Sequence, residues 1–281
     1  FSMLGGLALF LYGMNMMSNG LEMAAGDKMK TILEKLTSNR ILGVLVGALV
    51  TAIIQSSSAT TVMVVGFVNS GLMSLTSAVW VIMGANIGTT VTSFIIGFKL
   101  GDYALPMLFI GAVCLFFTKN RLVNNVGRIV FGVGGIFFAL NLMSGAMEPL
   151  KDLQVFRDYM VELSKSPILG VFVGSGLTLL IQASSATIGI LQNLYASHLI
   201  DLKGALPVLF GDNIGTTITA IIASLGANIA AKRVAGAHVA FNVIGTIICL
   251  VFLVPFTSLI QWFETTLHLS PEMTIAFAHG T

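Results

Sequence analysis

Charge is what this sequence lacks. Only 9% of its 281 residues are charged, against roughly 25% in a soluble domain. No Asp, Glu, Lys or Arg occurs between positions 41 and 98. With 56% hydrophobic residues and a mean hydropathy of +0.94, an ordinary globular enzyme is excluded. One membrane pass takes about 20 apolar residues, so the uncharged stretch alone has room for two or three. Cysteine is nearly absent too. Cys114 and Cys249 lie in apolar segments without metal-ligand spacing and read as small buried residues. The net charge of +2 carries no nucleic-acid signal. No polybasic cluster adjoins an apolar run, so no lipid-headgroup signal is legible either. No cleavable signal peptide follows Phe1.

What is present is a repeat. Residues 41–95 align with 168–222 at a constant offset of 127, without a gap and with close to half the positions identical. Gln55-Ser56-Ser57-Ser58-Ala59-Thr60 returns as Gln182-Ala183-Ser184-Ser185-Ala186-Thr187. Gly84-Ala85-Asn86-Ile87-Gly88-Thr89-Thr90 returns as Gly211-Asp212-Asn213-Ile214-Gly215-Thr216-Thr217. Apolar composition alone would not concentrate matches on Gln, Asn, Ser, Thr and Gly. A fainter echo precedes each core: Asn15 and Ser18, then Glu22, against Asn141 and Ser144, then Glu148. The connectors, about 21–40 and 147–167, hold half of the Lys and Arg residues and read as interfacial helices or surface loops. Gly43 and Gly47, with Gly170 and Gly174, read as helix-packing positions.

Length sets the expected topology. Residues 41–69 are interrupted by the Gln-Ser-Ser-Ser run, and each half is too short to cross at about 1.5 Å per residue. The spacing predicts a re-entrant hairpin with the polar run at its tip. Residues 75–98 should cross once, broken near Asn86–Thr90, and 104–118 and 123–143 should add two crossings. Three crossings between the hairpins would turn the second copy over. The expected fold is an all-α polytopic membrane protein of two inverted-topology repeats, each with a re-entrant helical hairpin and a broken transmembrane helix. Residues 1–122 form the first repeat, 123–256 the second, and 257–281 a C-terminal segment. Ala278-His279 starts an echo of Ala237-His238 that stops at Thr281, so the natural protein is expected to continue.

Polar backbone at membrane depth survives only where it lines a cavity or is packed in protein. Serines at a tip cap a half-helix whose N–H groups then face the cavity, and such a terminus attracts oxyanions. If the copies are inverted, two termini and five serine hydroxyls converge on one point. The candidate oxyanion ligands are Gln55, Ser56, Ser57, Ser58, Gln182, Ser184 and Ser185. Asn86, Thr89, Thr90, Asn213, Thr216 and Thr217 supply neutral oxygens suited to Na⁺. Asp212, whose repeat partner is Ala85, adds a carboxylate for Na⁺ or a proton. His238 and Asn242, one helical turn apart, read as a packed hydrogen bond.

On these residues, and on Ala237-His238 through Phe241-Asn242, the sequence resembles the type II sodium-dependent phosphate cotransporter family in its bacterial branch. The resemblance covers nearly the whole chain. It implies sodium-coupled transport of inorganic phosphate, with sodium ions co-transported, in the cell inner (plasma) membrane. It implies phosphate and Na⁺ at the hairpin tips and at both Asn-Ile-Gly-Thr-Thr runs. The implied partners are phosphate, sodium and the lipid bilayer, with homo-oligomerisation left open. Two departures stand out: Ala183 replaces a tip serine, and Gly101-Asp102 only loosely matches an acidic pair that some members use for an extra Na⁺. A phosphate exporter, a channel or a sensor of the same fold is the alternative. An intramembrane serine protease built on Ser175 and His238 is the remote one, since the repeat partner of Ser175 is Ala48.

Overall fold

The computed structural model describes residues 1–25, 32, 39–98 and 100–281. Among these residues there is no strand. Fourteen α-helices and two 3₁₀ turns follow one another. The helices that position the polar motifs are α1 (Ser2–Ala25), α2 (Arg40–Ile54), α3 (Ser57–Asn69) and α4 (Leu75–Gly97). Next come α5 (Ala104–Phe117), α6 (Arg121–Met147), α7 (Gln154–Lys165), α8 (Pro167–Ile181) and α9 (Ser184–Ala196). The chain ends with α10 (Leu202–Gly215), α11 (Thr217–Ser224), α12 (Ile229–Val251), α13 (Leu253–Thr266) and α14 (Pro271–Gly280).

Among the described residues, four stretches are long and apolar enough to cross a membrane: Leu75–Gly97, Arg121–Leu150, Leu202–Ser224 and Ile229–Val251. A bent pair, α7 and α8, passes the same test of length and composition together, but its helices meet at 111°, the geometry of a broken span or of a re-entrant loop. The exterior is apolar, with Phe109, Phe116, Phe117, Leu180 and Val251 all exposed. Outward hydrophobics of this kind suit a lipid solvent rather than water.

The sequence repeat is also a repeat of local structure. Gln55 and Gln182 each end a helix in the left-handed region, at φ 59° and 57°. Each donates its backbone N–H to a threonine carbonyl four residues back, Thr51 or Thr178, at 2.7 Å. Across each turn a threonine pair meets: Thr51 Oγ1 donates to Thr60 Oγ1 at 3.0 Å, and Thr178 Oγ1 and Thr187 Oγ1 lie 2.7 Å apart. Nine residues of continuous helix would separate such a pair by about 13 Å. The chain therefore doubles back at both glutamines, as the interrupted apolar runs predict.

Each hairpin's first arm lies against the helix that follows the hairpin, at backbone contact. A Cβ on Gly47 would fall 2.0 Å from the Val81 carbonyl oxygen, and one on Gly84 2.0 Å from that of Val44. The second copy repeats this: Gly174 meets the Val208 oxygen at 2.0 Å and Gly211 that of Val171 at 2.1 Å. Small residues let membrane helices approach this closely. The packing role read for Gly47 and Gly174 holds.

The break expected near Asn86–Thr90 is absent from the first copy, where α4 runs unbroken through the motif. Its glycines are used for approach instead: a Cβ on Gly88 would lie 2.4 Å from the Ala48 carbonyl oxygen. Packing against α2 removes the reason to unwind. In the second copy a single residue, Thr216, interrupts the helix between α10 and α11. Residues 104–118, expected to cross, fall almost wholly within a shorter apolar segment, Gly101–Phe117, made of one 3₁₀ turn and α5. The connector at 147–167 forms a 3₁₀ turn, Glu148–Asp152, and the amphipathic α7. Most of the connector at 21–40 lies outside the described residues.

Candidate functional site

The two hairpin tips open onto one cavity of about 300 Å³. Gln55, Ser56, Ser57 and Ser58 line it from the first copy, and Gln182, Ala183, Ser184 and Ser185 from the second. Residues 127 apart in the chain thus share a single space. All seven candidate oxyanion ligands are among its lining.

Their hydrogen bonds differ between copies. Ser56 is the N-cap of α3, and its Oγ accepts from the Ala59 N–H at 3.1 Å. Ala183 occupies the same place before α9 and provides no side-chain cap. There the Ala186 N–H donates to the Ala183 carbonyl at 3.1 Å instead. The first N–H groups of a helix have no intrahelical partner, so both tips present donors. Gln55 is fixed on two sides: its Nε2 donates to the Ala52 carbonyl, and its Oε1 accepts from Thr92 Oγ1 at 2.9 Å. Thr92 itself is 1% exposed.

The other walls come from α1 and α4. Asn15 and Ser18 line the cavity, as do Thr89 and Thr92. Ser18 donates its hydroxyl to the Ile54 carbonyl, tying α1 to the last turn before the first tip. Asn15, Ser18 and Thr92 were not among the expected ligands. The signal for the first two was present in the repeat that pairs them with Asn141 and Ser144. Among the described residues, no Lys, Arg, His, Asp or Glu lines the cavity. The electrostatics are those of two helix N-termini, each equivalent to roughly half a positive charge.

The seven residues expected to hold Na⁺ do not converge. Thr89 faces the tip cavity. Asn86, Thr90 and Asn213 line a second cavity of about 250 Å³ together with Asn242 and His279. The cause is helical geometry: neighbours in sequence point about 100° apart on a helix, whereas Asn86 and Thr90, four apart, share a face. In that second cavity Asn86 Nδ2 donates to Asn242 Oδ1 at 2.9 Å. Thr216 and Thr217 turn their hydroxyls back onto the carbonyls of Asn213 and Ile214, both at 2.7 Å.

Asp212 lies behind the second tip and is 0% exposed. Its Oδ1 accepts from Thr178 Oγ1, whose own partner is Thr187 in the first turn of α9. Among the described residues, its Oδ2 has no hydrogen-bond partner. A buried carboxylate with a bare oxygen is stable only with a proton or a cation beside it. The first copy has Thr51 and Thr60 in this arrangement but Ala85 in place of the acid.

His238 and Asn242 form a packed bond, from Asn242 Nδ2 to the His238 carbonyl at 2.8 Å. Among the described residues, neither ring nitrogen of His238 has a hydrogen-bond partner. Ser175 donates to the Gly211 carbonyl at 2.9 Å, at the contact of α8 and α10. The serine–histidine hydrogen bond that a protease reading requires is not formed.

The family profile described as Na⁺/Pi-cotransporter matches residues 9–145 and 150–270. A Bacillus subtilis (strain 168) protein named "Uncharacterized protein YqeW" is 35% identical over 273 residues, 97% of this chain and 87% of that protein. The Salmonella typhimurium protein named "Putative inorganic phosphate export protein YjbB" is 29% identical over 259 residues, 92% of this chain and 48% of that protein. The Rattus norvegicus "Sodium-dependent phosphate transport protein 2A" is 32% identical over 186 residues, 61% of this chain and 29% of that protein. The chain thus spans most of the first relative but about half or less of the other two. No solved structure matches.

Proposed function

This chain belongs to the Na⁺/Pi-cotransporter family, and on that premise we propose that it carries inorganic phosphate across the cell inner membrane, coupled to sodium, through the cavity between its hairpin tips. The observation that carries this reading is that both serine tips line one space that has no fixed charge among the described residues. At about 300 Å³, it has room for roughly ten water volumes, enough for a tetrahedral oxyanion with small cations.

In this reading the phosphate oxygens accept from the leading N–H groups of α3 and α9 and from the hydroxyls of Ser57, Ser58, Ser184 and Ser185. Ser56, engaged as a cap, orients its helix. Gln55, fixed by Ala52 and Thr92, and Gln182 set the left-handed turns that aim the termini. Two termini supply about one positive charge together, too little for a divalent phosphate. Co-bound sodium makes up the difference, and this is the physical basis for coupling. Thr89 in the tip cavity is the first Na⁺ ligand. The buried Asp212 is a second cation position. Asn86, Thr90 and Asn213 form a separate neutral-oxygen position beyond α4, with Thr216 and Thr217 shaping the helix step beside it.

We read the two copies as inverted, so that rocking one against the other exposes the cavity to each side in turn. The direction of net flux follows the gradients. The names of two relatives, one for export and one for sodium-dependent transport, both fit such a site. Purified protein in liposomes should accumulate labelled phosphate on an inward Na⁺ gradient. Equal uptake with K⁺ replacing Na⁺ would reject the coupling, and no saturable flux under either ion would reject the transport reading.

A further inference from the structure

No polybasic run is legible in the sequence, yet the fold gathers one from separate segments. A cavity of about 760 Å³ lies where α7, the α9–α10 turn and α13 meet. Arg157 and Lys165 reach it from α7, His198 from the turn, and Lys203 from the first turn of α10. Two carboxylates, Asp201 and Glu264, also line it and leave three fixed cations in excess by one; each already holds neutral donors. Asp201 Oδ1 accepts from the Ser164 hydroxyl at 2.6 Å and from the Gly204 N–H at 2.8 Å, as the N-cap of α10. The Glu264 oxygens accept from the Tyr195 hydroxyl at 3.1 and 3.2 Å. Among the described residues, neither Lys165 nor Lys203 has an ion-pair partner.

The surroundings are those of a membrane surface. α7 is amphipathic and turns 111° away from α8, the geometry of a helix lying along the interface while its neighbour enters the bilayer. Tyr159 on α7 and Trp262 on α13, next to the lining residue Gln261, are both exposed. Such aromatics sit at headgroup level. Met160, Val161 and Leu199 give the basic pocket an apolar wall. A soluble anion has no use for that wall, whereas a lipid's glycerol and upper acyl chain do.

We propose that this pocket seats the headgroup of an anionic phospholipid, with its phosphate held by Lys165 and Lys203 and its chains running along α13. A lipid seated there joins α7 to the α9–α10 turn. Because α7 leads directly into the first arm of the second hairpin, the lipid braces the base of that hairpin. This site is separate from the tip cavity and stands whatever the transported solute is.

The test uses the full chain in nanodiscs, in a Trp80→Phe background that leaves Trp262 as the reporter. Quenching by dibrominated phosphatidylglycerol is compared with quenching by dibrominated phosphatidylcholine. Phosphatidylglycerol should be preferred, and Lys165→Gln with Lys203→Gln should cut that preference about thirtyfold, about fivefold per lysine. The paired Lys→Arg variant should retain it. Equal quenching by the two lipids, or a preference that survives the Gln pair, overturns the proposal. Loss of the preference to excess inorganic phosphate, beyond the effect of sodium chloride at equal ionic strength, assigns the pocket to a free anion and overturns the lipid reading.

Discussion

Replacing Asp212 by Asn changes the charge and little else. The side chain keeps its size, and Thr178 can still donate to the remaining carbonyl oxygen. Two unit charges about 4 Å apart attract by about 4 kcal/mol at an effective dielectric of 20, and desolvation of the ion takes back a large part. Retaining half gives about 2 kcal/mol, or about thirtyfold in the Na⁺ concentration for half-maximal phosphate uptake. The assay is uptake into liposomes at saturating phosphate with Na⁺ titrated against K⁺. A parallel readout is the rise in melting temperature with Na⁺, which grows as RT ln(1 + [Na⁺]/Kd) for an ion that binds only the folded state. Asp212→Asn should flatten that rise over the same range. If both Na⁺ curves coincide with those of the unaltered protein, no cation sits at Asp212. The acid is then a structural, protonated partner of Thr178.

Ser184→Ala removes a hydroxyl donor without disturbing a cap; the phosphate concentration for half-maximal uptake should rise about tenfold, as for a hydrogen bond to a charged group worth about 1.5 kcal/mol, while the Na⁺ dependence keeps its shape. Ala183→Ser rebuilds at the second tip the cap that Ser56 provides at the first, and should stabilise the protein by about 1 kcal/mol, read as a higher midpoint in detergent thermal melts. Gly174→Val drives a branched side chain into the Val208 carbonyl, which a bare Cβ would already meet at 2.0 Å; a loss of about 3 kcal/mol or more from overpacking should appear as reduced folded yield and a lower melting temperature.

The hairpins were legible because a polar run inside an apolar one has few places to go, and because Gln, Ser and Thr recur at a fixed offset. The shared cavity followed from the same repeat. The path of α4 was not legible. Glycine can unwind a helix or let another helix approach, and only the position of Val44 and Ala48 decides between the two. Asn86 and Thr90 line one cavity and Thr89 another, because contiguity along the chain is not proximity on a helix face. Asn15 and Ser18 were visible as an echo, but nothing in the sequence says that α1 reaches the first tip. The basic pocket could not be read at all, since Arg157 and Lys203 meet only after three helices have turned.

Cysteines placed at Ser57 and Ser184, in a chain whose Cys114 and Cys249 are replaced by Ala, put the common cavity to its most direct trial. In native membranes a short bismaleimide should join them, block phosphate uptake, and react more slowly when phosphate and Na⁺ are present together. If both cysteines are labelled singly but never joined, or are joined at a rate indifferent to phosphate and Na⁺, the two tips do not enclose the transported ion.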